Sequence, residues 1–167
     1  MGIYAVDKLM KEARHLAAGY RKATGKPLGI SSEIAEHDAA RLLNLELCHD
    51  PSAGIDAIGH GEREGKRIII KGRAIFDETK SGHRIGQLKL EKEWDSVVLV
   101  IMNEDYQPVE LYEAERAEIA EALEKSQSKR ANRGAMSVAK FKVIGKLVWC
   151  VEEGAVNNEI WDNQADD

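Results

Sequence analysis

From Ile3 to about Tyr20, apolar side chains recur at three- and four-residue spacing, at Ile3, Val6, Met10, Ala13, Ala17 and Tyr20. This is the stripe of one helix face and predicts a helix over these residues. The stretch TGKPLG then stops it, because proline and glycine both oppose continuation. A second helix is expected from a cap at Ser31 or Ser32 to about Leu45, offering Ile34, Leu42, Leu43 and Leu45 to a core. Its Glu33, His37 and Arg41 fall on one face.

Beyond HDPSAG the period shortens from that of a helix to that of a strand. A short strand about Ile55 to Ile58, a glycine-rich charged turn and a strand from Arg67 to about Ile75 read as a hairpin. FDETKSGHRIGQ reads as a polar loop, and QLKLEKEW alternates as another strand would. DSVVLVIM is nearly continuous in β-branched and apolar residues, the pattern of a strand buried on both faces. VELY adjoins it, and Glu113 to about Lys125 predicts a helix led by acids that suit a helix N-terminus. After the basic loop SQSKRANRG comes a short helix capped by Ser137 and ended by Gly145. No internal repeat or interdomain linker interrupts the chain. The expected organisation is one domain over residues 1–150 and an acidic tail over 151–167.

Composition narrows the class. With 43% hydrophobic and 32% charged residues over 167 positions, the chain has enough apolar material for a core. The longest strongly apolar run, Val97 to Met102, is far below the ~18 residues of a membrane span, so no membrane partner is expected. The N-terminus mixes charges into its apolar positions, unlike a secretory signal. Cys48 and Cys150 lack CxxC spacing, which indicates neither a disulfide framework nor a zinc knuckle and fits a reducing cytoplasm.

Charge is segregated. Lys125, Lys129, Arg130, Arg133, Lys140, Lys142 and Lys146 are seven cations in a segment without an acid; taking seven from the net −5 leaves −12 for the rest. A solvated basic face explains such a run, and so does an anionic partner.

The candidate chemistry lies in RIIIKGR. Side chains two apart on a strand share a face, so Lys71 sides with Ile69, while Ile68 and Ile70 take the other. Asp56, from the first hairpin strand, is expected to project towards the same end. A carboxylate beside a lysine, reached by a Glu from a neighbouring helix, is the arrangement that holds a divalent cation and neutralises a phosphate. The plainer alternative is that Asp56 caps a turn and Lys71 ends a strand in solvent. Glu33 and His37, one helical turn apart, suit either a shared metal or a surface hydrogen bond. His15, His49, His60 and His83 have no zinc spacing. Ser31, Ser32 and Ser137 lack a GxSxG surround, and GHGEREG precedes a strand and lacks the lysine and hydroxyl of a phosphate loop.

The succession GISSEIAEHDAARLLNLEL, GIDAI and RIIIKGR resembles the core of the PD-(D/E)xK, or restriction-endonuclease-like, nuclease superfamily, which includes restriction enzymes and archaeal Holliday-junction resolvases. WDSVVLVIMNEDYQPVELYEAERAEIAEAL is similar to the strands and helix that follow the active-site strands in that superfamily. The likeness covers roughly Gly29 to Leu123. It implies an α/β fold, a restriction-endonuclease-like mixed sheet flanked by helices in a single domain. It implies a catalytic set of Glu33, Asp56 and Lys71, with Glu33 and Asp56 as Mg²⁺ ligands and Lys71 positioning water and stabilising charge. One position departs from the pattern: the acid or glutamine expected two residues before Lys71 is Ile69, which offers a hard cation no oxygen. Glu36 and Asp95 are candidates to replace it.

The expectation is therefore a nucleic-acid-binding protein of nuclease fold with DNA as partner and Mg²⁺-dependent phosphodiester cleavage in view. Arg73 and the segment containing Lys129, Arg130, Arg133, Lys140 and Lys142 would contact the backbone. A homodimer would use the N-terminal helix as its interface, unless that helix closes the core. The rivals are a catalytically inactive binding module of the same fold, favoured by Ile69, and an acidic inhibitor-type protein that binds a basic partner.

Overall fold

The computed structural model describes residues 2–77, 83–126 and 134–156. Four α-helices lie among these: α1 (Ile3–Thr24), α2 (Ser31–Leu43), α3 (Arg116–Lys125) and α4 (Val138–Ile144). Seven strands, β1 (Leu45–Leu47), β2 (Ala57–Gly59), β3 (Arg67–Ala74), β4 (Ser96–Met102), β5 (Pro108–Glu115), β6 (Lys146–Cys150) and β7 (Gly154–Ala155), form one sheet in the order of the sequence. Every neighbouring pair is antiparallel except β3 and β4, which run parallel. The fold is mixed α/β.

A parallel neighbour requires a crossover of a dozen or more residues, and the segment between β3 and β4 supplies it. Its described part lays Ile85, Leu88 and Trp94 onto one face of the sheet with Val97, Leu99 and Ile101, beneath α3 and α4. The other face carries Ile68, Ile70, Val98, Val100 and Met102 against α1 and α2. All seven residues of β4 are buried; covered from both sides, the strand can be apolar throughout.

The N-terminal helix closes the core, burying Ala17 and Ala18. Arg14 reaches the fully buried Asp38 of α2 at 2.5 Å, which ties α1 to α2. Val6, Leu9, Leu16 and Tyr20 stay on its outer side.

Several elements differ from the sequence expectation. Neither Ser31 nor Ser32 caps α2: the cap position is Ile30, without a side-chain bond. Leu45 leaves the helix because Asn44, at φ 55, turns the chain into β1. Glu113 belongs to β5 rather than to the following helix, and its buried carboxylate takes bonds from Arg63 and Ser96. QLKLEKEW is not a strand. The Trp94 indole donates to the Lys89 carbonyl, and Arg116, stacked over the Trp94 ring, takes the carbonyls of Leu90, Lys92 and Trp94. These bonds use the backbone acceptors a sheet ladder would need. Ser137 does cap α4, accepting from the Lys140 amide, and Gly145 ends it. The first residues of the expected tail return as β7 beside β6. No helix among the described residues is long and apolar enough to cross a membrane.

Candidate functional site

The alternation of β3 settles which face each side chain takes. Ile68 and Ile70 point towards α2, with Gly72 between the strand and that helix: a methyl on Gly72 would meet Ala35 and the Ser31 carbonyl. Ile69 faces the opposite cluster, and Lys71 and Arg73 alternate onto the same side. The isoleucine run therefore ends in two cations beneath the crossover, not beneath α2. The Lys71 ammonium and the Arg73 guanidinium approach Gly86 of that crossover.

Asp56 stands at the edge between the two faces. β2 pairs with β3 only through Ala57↔Ile68 and Ile58↔Arg67. Where β2 peels away, the Asp56 carboxylate accepts from the Ile70 amide at 2.8 Å, replacing the missing ladder bond. From there it acts in both directions. It raises the pKa of Lys71, and it raises that of Glu36 on α2.

The two groups respond to burial in opposite senses. The half-buried Lys71 has its pKa lowered, first by desolvation and then by Arg73 and Lys89, against which Asp56 works. Arg73 is likewise lowered by burial, and donates to the carbonyls of Gly72 and Arg84. Lys71 has no salt-bridge or hydrogen-bond partner among the described residues. Glu36 is held above the usual carboxylate range, first by burial, then by Asp56 and Glu33, with His49 opposing.

The expected triad is thus brought together as a chain, not as a cluster. Asp56 links Lys71 on one side to Glu36 on the other. Glu33 is exposed and lies next to Glu36, one helical turn away. Asp95 does not stand in for the acid that Ile69 lacks. It accepts from the backbone and side chain of Arg67, whose attraction lowers its pKa. Arg67 is four residues from Lys71, or about 13 Å along the strand. His37 turns to Asp7 of α1 at 3.4 Å, not to Glu33.

Of the basic segment, Lys142 is occupied: it pairs with Glu110 at 3.5 Å and lies over the Tyr112 ring. Lys125 pairs with Glu121 at 2.6 Å. Lys140 is exposed and has no ion pair among the described residues. Lys129, Arg130 and Arg133 lie outside the described residues.

The Mg²⁺ expectation meets a two-carboxylate set. No group of three or more His, Cys, Asp or Glu side chains arranged to hold a metal occurs among the described residues. Magnesium, however, is commonly held by one or two carboxylates together with substrate phosphate. Asp56, with one oxygen on Ile70, and Glu36 suit that role, because a cation would offset both the burial and the repulsion from Asp56 that raise Glu36.

Sequence reasoning missed the crossover's contribution. Gly86, Lys89 and Arg84 sit in or beside a segment legible only as a polar loop. The available signal was a spacing of cations around a glycine, too common to single out. No protein-family model matches the chain, and no curated protein matches its sequence.

Proposed function

We propose that this is a nucleic-acid-binding protein of restriction-endonuclease-like architecture, in which Lys71 and Arg73 receive a phosphate of DNA. The observation that carries the reading is Lys71. It is a half-buried ammonium with no ion pair among the described residues, beneath Gly86 of the crossover beside Arg73, and burial with the neighbouring cations outweighs the attraction of Asp56 in lowering its pKa. An arriving phosphodiester adds negative charge beside Lys71 and Arg73, which Asp56 alone does not balance. The fold assignment is supported by a mixed sheet with helices on both faces, the coarse architecture that the sequence resemblance implies.

The experiment is DNA binding across salt. Affinity should fall linearly in log–log form, and Lys71→Met should weaken it. Affinity indifferent to salt, or to loss of Lys71, sinks the proposal. No DNA affinity, together with capture of a basic protein, would favour the inhibitor-type reading.

A second reading, Mg²⁺-dependent cleavage, is favoured by the raised carboxyl of Glu36 beside Asp56. Bound there, Mg²⁺ would supply polarisation of a phosphoryl oxygen and of water. In that reading Asp56 and Glu36 hold the cation, and Lys71 orients and neutralises the phosphate from the other side of the sheet edge. Ile69 weighs towards binding without cleavage, since it packs against the apolar cluster of that face and gives no oxygen beside Lys71. Nicking of plasmid DNA with Mg²⁺, by the natural chain and by Ile69→Glu, separates the two: activity in either supports cleavage, and silence in both supports the binding module.

A further inference from the structure

We infer that a cavity between α3, α4 and the crossover takes one unpaired nucleotide of the strand whose neighbouring phosphate meets Lys71 and Arg73. The inference rests on the reading just given and extends it to a second, separate site.

The cavity has a volume of about 360 Å³, within the range of pockets that enclose small ligands. Its floor is apolar, formed by the buried Ala122, Leu123 and Met136. Its rim is cationic: Arg84, Lys125 and Lys140 line it, with no carboxylate among the described residues of the lining. Lys125 is neutralised by Glu121. Arg84 and Lys140 have no ion pair among the described residues, so two positive charges remain unbalanced at the mouth. Ser137 adds a hydroxyl, whose oxygen accepts from the Lys140 amide. An apolar floor under two unpaired cations and a hydroxyl matches one chemistry well: a base against the floor and its phosphate on the rim.

The cavity is coupled to the first site through the chain. The Arg73 guanidinium donates to the Arg84 carbonyl, and Arg84 bridges in antiparallel fashion to Ser137. Arg84 thus gives its carbonyl to the first site and lines the second. One strand can touch both without crossing a negatively charged residue that lines the cavity.

A paired base cannot leave its partner to enter the cavity without unstacking, so single strands should bind better than duplex. The test uses fluorescence anisotropy with a short labelled single-stranded oligonucleotide, the same sequence as duplex, and a mononucleotide as competitor. Single strand should bind more tightly than duplex. Arg84→Gln and Lys140→Gln should each weaken it about ten-fold, and together they should reduce the log–log salt slope by about 0.7, one phosphate contact on a single strand. Ala135→Leu, which narrows the cavity without changing charge, should also weaken it. Lys26→Gln, remote from the cavity, should leave affinity unchanged.

If Lys71→Met weakens binding but the Arg84, Lys140 and Ala135 variants do not, the cavity is not a nucleotide site and the first proposal stands. If the mononucleotide binds with Arg84 dependence while the oligonucleotide ignores Arg84, the occupant is a free nucleotide and the inference is overturned. If the natural protein binds no oligonucleotide, both proposals fall.

Discussion

Gly72 lies where β3 passes under α2, and adding one methyl group there tests whether that close approach builds the site. A Cβ at Gly72 would stand closer than 3.0 Å to the Ala35 methyl, with the Ser31 carbonyl at 3.2 Å and the Met102 methyl at 3.3 Å. Carbon atoms pack at about 3.5–4.0 Å, so α2 must retreat by at least ~0.5–1 Å. The helix is fixed by the buried Ile34, Ala35 and Ala39 and by the Arg14–Asp38 pair, and cannot move freely. Overpacking of this kind costs about 1–3 kcal/mol. For a chain of this size, that lowers the melting temperature by about 2–12 °C. Ala35→Gly removes the opposing methyl at about 1 kcal/mol of helix propensity. The double variant should therefore be more stable than the sum of the two single changes by at least about 1 kcal/mol. Thermal and urea unfolding of the four proteins measures this coupling. The Gly72→Ala variant should also lower the raised pKa of Glu36, because α2 carries that carboxyl towards Asp56. A Gly72→Ala protein as stable as the natural one, or strictly additive stabilities, would refute the packing argument.

Four further outcomes are expected. Asp56→Ala orphans the Ile70 amide and should destabilise by about 1–3 kcal/mol while lowering the Lys71 pKa further; Asp56→Asn should retain more of the stability but still lower Lys71, which lysine-detected NMR titration reads. Glu36→Gln should stabilise the protein at neutral pH and leave it unchanged in acid. The folded pKa lies above the unfolded one, so the folded state binds more protons and wild-type stability declines as pH rises from the ordinary carboxylate value of about 4.5 through the folded value; a flat difference between the two melting profiles contradicts this. Arg14→Ala leaves the fully buried Asp38 to Arg41 alone, at 3.7 Å, and should cost about 3–5 kcal/mol in denaturant titration. Lys71→Met should raise thermal stability while weakening DNA binding, because the lysine's charge is penalised in the free fold; lower stability would show that the ammonium is held by a favourable interaction.

Local pattern reached far into this protein. The stripe of α1, the capped and glycine-ended α4 and the fully apolar β4 are each decided within a few turns or one strand, by periodicity and by backbone chemistry that neighbours cannot easily override. The alternation of β3 likewise assigned Ile68 and Ile70 to one face and Lys71 to the other. The order of α2, β2, β3, β4, β5 and α3 was legible in the same way.

Other features depended on partners distant in sequence. QLKLEKEW alternates as a strand does, yet Arg116 takes its carbonyls from over twenty residues away. Asp95 and Lys142 read as free charges, and contacts with Arg67 and Glu110 consume them. Glu33 and Glu36 are equivalent acids in the sequence; the depth to which α2 sinks against Gly72 leaves one exposed and brings the other within the field of Asp56. Strand periodicity tells which side a residue takes but not what covers that side. The sequence could therefore set Lys71 apart from Ile68 and Ile70, but it expected a carboxylate of α2 beside it; only the crossover, folded back over Gly86, made it a half-buried cation beside Arg73 on the side away from α2.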